Sequence, residues 1–117
     1  MTAAEMLEAE GLKFAFTNIL AVAGPAEAKV RQQVRGTHAD EIETSMMLYL
    51  RPDRVDMSRA VKDDSEQGTG GLTRVRGNAK TYSPSGVWGD ARLATREKGR
   101  EVVEAMVAGI LREIDQL

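Results

Sequence analysis

The chain has no cysteine and only one histidine in 117 residues. The first absence excludes disulfides and thiolate metal ligands. The second excludes any metal centre built from two imidazoles of this chain. Aromatic side chains are confined to Phe14, Phe16, Tyr49, Tyr82 and Trp88. The core must therefore be aliphatic, made of Val, Leu, Ile, Ala and the six methionines. Basic residues do not outnumber acidic ones: 16 Lys and Arg face 18 Asp and Glu, for a net charge of −2. No broad basic face exists to neutralise a phosphate backbone, so a nucleic-acid partner is not expected. No apolar run approaches the roughly 20 residues of a membrane helix, and the N-terminus lacks a secretory signal pattern. The expectation is a cytoplasmic protein of one domain, residues 1–117, with a modest core.

Local pattern sets the elements. Thr2 with Glu5 three residues on has the form of a capping box, predicting a helix over about 2–10 that ends at Gly11. Leu12-Lys13-Phe14-Ala15-Phe16 alternates apolar and other residues, and 12–20 reads as a strand. Gly24-Pro25 reads as a break, and 26–35 as a polar helix or a loop. Asp40 and Glu43 form a second capping-box pair, opening a helix at about Glu41 that carries Ile42, Met46 and Leu50 on one face. Arg51-Pro52 ends it. Residues 56–80 are polar and loop-like, with Gly68-Thr69-Gly70-Gly71 at the centre, and 82–90 form a second loop dense in turn residues. Thr95 caps a last helix of about 20 residues, on which Val103, Val107, Ile110, Ile114 and Leu117 recur at helical spacing. Helices alternating with a strand suggest an α/β layer.

The chemistry concentrates in His38-Ala39-Asp40-Glu41-Ile42-Glu43-Thr44-Ser45. An imidazole followed by two carboxylates is part of a site for zinc, manganese or iron, short of the three or more ligands such an ion wants. The same residues fit a plainer account: His38 in a hydrogen-bonded loop, with the acids favouring a helix N-terminus by roughly 0.3–1 kcal/mol each. Ser45, Ser83 and Ser85 lack a Gly-x-Ser-x-Gly turn, and the glycines at 68, 70 and 71 lack a phosphate-loop lysine. Trp88, set between Gly86 and Gly89, is suited either to cover a pocket or to plug the edge of a small core.

Taken together, His38 to Ser45, Met46-Met47-Leu48 and Arg51-Pro52-Asp53 resemble the creatininase (creatinine amidohydrolase) family. Its His-Ala-x-Glu-x-Glu-Thr-Ser motif opens a helix ending at a Pro-(Asp/Glu). Ser85-Gly86-Val87-Trp88-Gly89-Asp90, then Ala94-Thr95 and Glu97-Lys98-Gly99, are similar to the Ser-Gly-Val-x-Gly-Asp…Ala-Thr-x-Glu-Lys-Gly signature before that family's last helix. The resemblance covers essentially the whole chain, but only the C-terminal half of the family.

It implies a truncated three-layer α/β/α fold with a small, mostly parallel sheet flanked by helices. It implies a metal-dependent amidohydrolase acting on a cyclic amide, formamide or similar C–N bond of a small molecule. His38 matches the family's catalytic histidine, Glu41 a metal-binding carboxylate, and Glu43 the conserved acid of the motif, a catalytic-site residue expected to orient the substrate or support the ligands. Ser85 and Trp88 fall on the expected pocket loop. The family's Glu-x-His pair and Asn-Gly-His motif are not in this chain, so its site is expected to be incomplete alone. A homo-oligomer, or a partner chain carrying the N-terminal half, would complete it. The alternative is a non-catalytic interaction or assembly module of the same descent. Two departures stand out: Asp40 replaces a frequent glycine, and Val34 a tryptophan that closes over creatinine, which argues against creatinine as substrate.

Overall fold

A computed structural model of the chain describes residues 1–77 and 79–117; Asn78, inside the expected 56–80 loop, lies outside the described residues. Helix α1 spans Ala3–Ala9, and its capping box forms as the sequence predicts, with Thr2 and Glu5 exchanging hydrogen bonds. None of its residues is buried.

The strand expected over 12–20 is not formed. Residues 12–18 carry no regular structure, and helix α2 begins at Ile19 and runs to Val30, capped by the Asn18 side chain. Pro25 sits inside this helix. Its ring removes one ladder hydrogen bond, a cost of about 3 kcal/mol that propensity reasoning treats as a stop. Packing overrides it: Ala23 is fully buried, and Ala26 and Val30 lie against the same core. Beyond Val30 the helix stops, so 31–35 take the loop alternative.

Helix α3 spans Glu41–Leu50, with Asp40 as N-cap accepting from the amides of Ile42 and Glu43. Helix α4 spans Arg96–Asp115, with Thr95 as N-cap. Helices α2, α3 and α4 meet around Ala23, Ile42 and Val102. The buried face of α4 runs through Gly99, Val102 and Gly109, while Val107 and Ile114 of the expected stripe, and Leu111 beside them, stay exposed. Small residues decide this, because they let the helices approach. A β-carbon on Gly99 would stand 1.8 Å from the Ser45 carbonyl oxygen, and one on Gly109 would stand 2.2 Å from Val22 Cγ1. Ser45 is fully buried and bridges the pair: its hydroxyl donates to the Glu41 carbonyl at 2.5 Å and accepts from the Thr95 amide at 3.0 Å.

The sheet content is small. Strand β1 (Lys62–Asp63) pairs antiparallel with β4 (Gly89–Asp90), and β2 (Leu72–Thr73) pairs in parallel with β3 (Thr81–Tyr82). Mixed helix and small sheets are compatible with a truncated α/β fold. The molecule measures 49 × 35 × 25 Å with a radius of gyration of 17.5 Å. A compact chain of this length has about 13 Å. The excess goes with an N-terminal arm in which Leu12, Phe14 and Phe16 are exposed, as are Ile19 and Leu20 where α2 begins.

Candidate active site

The site is organised by a close crossing of two backbones. His38 and Trp88 form an isolated antiparallel bridge: the Trp88 amide donates to the His38 carbonyl at 2.8 Å, and the His38 amide to the Trp88 carbonyl at 3.2 Å. Glycine is needed on both sides. A β-carbon on Gly36 (φ 120°) would lie 2.3 Å from the Trp88 carbonyl oxygen, and one on Gly89 (φ 142°) would lie 2.5 Å from Asp40 Cβ.

Beneath the crossing sits Gln33, buried and fully used. Its carbonyl oxygen accepts from the amides of Glu41 (3.2 Å) and Asp90 (3.0 Å). Its amide nitrogen donates to the Gly36 carbonyl (3.1 Å) and the Asp40 carboxylate. One side chain thus ties together the His38 turn, the start of α3 and strand β4. Sequence reasoning missed it, since a glutamine in a polar stretch carries no local signal of burial. Asp90 is gripped in turn by Arg92, whose guanidinium holds the Asp90 carboxyl below the usual carboxylate range.

Glu41 is completely buried. Its carboxylate accepts from the Gln33 amide at 2.7 Å, the Gln32 amide at 2.9 Å and the Lys98 ammonium at 2.6 Å. Lys98 also donates to Gln32 Oε1 and the Leu93 carbonyl, both at 2.7 Å. Burial alone would raise the Glu41 pKa, but the Lys98 hydrogen bond, the two backbone amides and the Lys98 charge outweigh it and hold it lowered.

Glu43 takes a third course. Its side chain reaches back to the Ala39 amide at 2.6 Å, one residue before the cap. Ala39 is the one non-glycine among the described residues with positive φ, at 48°. That left-handed turn is disfavoured for a residue with a β-carbon, and Glu43 braces it.

His38 and Trp88 line one cleft of about 390 Å³ with Thr37, Leu72 and Thr81. His38 also lines an adjoining cleft of about 180 Å³ with Arg74, Ser83 and Gly86. The His38 imidazole is exposed and makes no hydrogen bond among the described residues. Glu41 lines neither cleft, and Glu43 instead lines a separate cavity with Met47, Arg54 and Asp56. Ser85 is held in its turn by donating to Asp63 at 2.5 Å, and it too lines neither cleft. So the structure brings His38 to Trp88 and leaves Glu41, Glu43 and Ser85 in supporting positions around them.

The family model described as creatininase, creatinine amidohydrolase, matches residues 1–114. The chain belongs to the creatininase family. Solved creatininases share its shape. A structure described as creatininase Mn is 26% identical with a TM-score of 0.69, covering 97% of this chain and 48% of its own. A mutant creatininase of the Zn-Zn type is 25% identical with a TM-score of 0.71, covering 97% and 47%. A further creatininase is 27% identical with a TM-score of 0.69 over the same shares. The chain therefore spans about half the length of the solved creatininases it matches. No curated protein matches it.

Divalent metals are thus named for creatininases of similar structure. In this member of the family, no group of three or more His, Asp or Glu among the described residues could hold a metal ion. The ligand role expected for Glu41 also meets a chemical obstacle, because its oxygens already face an ammonium and two amides. The residues present do not fit a divalent cation. Val34, where the family's substrate-covering tryptophan is expected, is 90% exposed. No helix among the described residues is long and apolar enough to cross a membrane.

Proposed function

We propose that this chain is the C-terminal portion of a creatininase-family amidohydrolase, acting on a cyclic amide, formamide or similar C–N bond of a small molecule. His38 serves as the proton-transfer residue and Trp88 as a wall of the substrate pocket. The observation that carries this reading is the mutual hydrogen-bonded bridge between His38 and Trp88 at the rim of a shared cleft. Imidazole is the side chain best suited to give and take a proton near neutral pH, and that of His38 is accessible and uncommitted. Metal dependence, on this reading, belongs to ligands in the other half of a family-length polypeptide, whether joined to this chain or separate from it. Glu41 holds segment 32–33 against α4, Glu43 shapes the turn that presents His38, and Ser85 fixes the loop that presents Trp88.

The test is complementation. The chain is combined with a polypeptide carrying the other half of a family member, and hydrolysis of a panel of small amides and formamides is followed. The expected result is activity only in the combination, lowered about 10²-fold or more by His38→Ala. A combination whose activity ignores His38→Ala would refute the assignment.

A second reading, an interaction module without catalysis, draws support from the exposed apolar arm and from Val107, Leu111 and Ile114 on α4. It predicts a defined, metal-free assembly that stays inert in every combination.

A further inference from the structure

The two clefts beside His38 have an uneven chemistry. Among the described residues their linings carry the imidazole, the hydroxyl side chains of Thr37, Thr73, Thr81 and Ser83, and the guanidinium of Arg74, and no Asp or Glu. The cavity along α3, by contrast, carries both Glu43 and Asp56. Asp63 is outside both linings, and its carboxylate is engaged by the loop, accepting from the hydroxyls of Ser83 (3.0 Å) and Ser85 (2.5 Å).

Arg74 is the unexplained member. Arg76, two residues on, pairs with Glu66 and stacks 4.3 Å from the centre of the Tyr82 ring. Arg92 forks onto Asp90. Arg74 makes no ion pair, hydrogen bond or ring contact among the described residues. Its Nη2 lies 3.8 Å from where a β-carbon on Gly86 would stand, so the guanidinium hangs over the same turn that carries Trp88. A planar five-donor cation in a cleft without a carboxylate, next to a proton-transfer group, is a receptor for an oxyanion.

We propose that Arg74 forms an anion subsite, and that the small-molecule amide taken by this cleft carries a carboxylate or phosphate group. The guanidinium binds the anion, and the amide lies back along the cleft toward His38 and Trp88. This rests on the reading of that cleft as the amide site.

Trp88 is the only tryptophan, so its emission reports binding without turnover. The chain as it stands is titrated with N-acetylglycine and with N-acetylglycinamide, which differ only in a carboxylate against an amide, and separately with inorganic phosphate. The expected result is that N-acetylglycine changes the emission with an affinity about 10-fold or more above that of N-acetylglycinamide. Arg74→Gln should erase that preference and Arg74→Lys should keep part of it, both with an unchanged circular dichroism spectrum. Phosphate competing more strongly than N-acetylglycine, and doing so through Arg74, supports a phosphorylated substrate within the same proposal. Equal affinities for the two amides, no response to either, or a preference that survives Arg74→Gln would overturn it. Binding that persists in a protein inert under complementation would leave this subsite standing while removing the catalytic reading.

Discussion

The Lys98 ammonium lies 2.6 Å from Oε1 of Glu41, and Glu41 has no exposed surface at all. This ion pair joins the first turn of α3 to the first turn of α4 and, through the Gln32 and Gln33 amides, to the segment leading to His38. A buried pair is costly to break from one side, because the survivor stays charged and unpaired. Glu41→Gln and Lys98→Met should each lower unfolding free energy by about 3 kcal/mol. The double variant should lose less than the sum, as measured by urea denaturation.

The same carboxylate makes stability depend on acid. In the folded chain Glu41 holds its proton less tightly than an ordinary glutamate of pKa 4.5, so the unfolded chain binds more protons in acid. Its contribution is present above pH 4.5 and is lost as pH falls through the lowered native value. Denaturation at a series of pH values should show a shallower acid loss for Glu41→Gln than for the parent chain.

Helix contact gives a sharper contrast. Gly99→Ala drives a methyl group into the backbone of Ser45, whereas Gly109→Ala meets only the Val22 side chain. Backbone cannot step aside as a side chain can. Gly99→Ala should therefore cost about 3 kcal/mol, at the upper end for overpacking, and Gly109→Ala clearly less. Thermal unfolding of the two variants checks the order.

Ala39 offers a gain. At φ 48° an alanine sits where glycine would be at ease, so Ala39→Gly should raise stability by about 0.5 kcal/mol. If Glu43 braces this turn through the Ala39 amide, Glu43→Ala should cost less in the Ala39→Gly background than alone. A double-mutant cycle without coupling would deny Glu43 that task.

Much of this was legible where chemistry is local. Thr2, Asp40 and Thr95 announced three helix starts because a cap needs only its own next turn. The family motifs were legible for a related reason: they hold the residues around the His38–Trp88 crossing. Long-range facts were not. Residues 12–16 have a strand's alternation, but a strand needs a neighbour, and none of the described residues pairs with them. Pro25 read as a stop because the packing of Ala23 and Ala26 is invisible in a one-dimensional string. The second capping box was half right: Asp40 caps as expected, while Glu43 bonds one residue earlier, a choice made by the turn at Ala39. Gln33 and the Glu41–Lys98 pair, spanning 57 residues, had no sequence signal for the same reason.

Helix α1 contributes no buried residue, and the stretch that tethers it is exposed at Lys13. Trypsin should therefore clip there, releasing the leading peptide while the Asn18 cap and all of Ala23, Ile42 and Val102 remain in place. In handling terms such a clip should leave the three-helix packing around Ala23, Ile42 and Val102, and the cleft shared by His38 and Trp88, as they were.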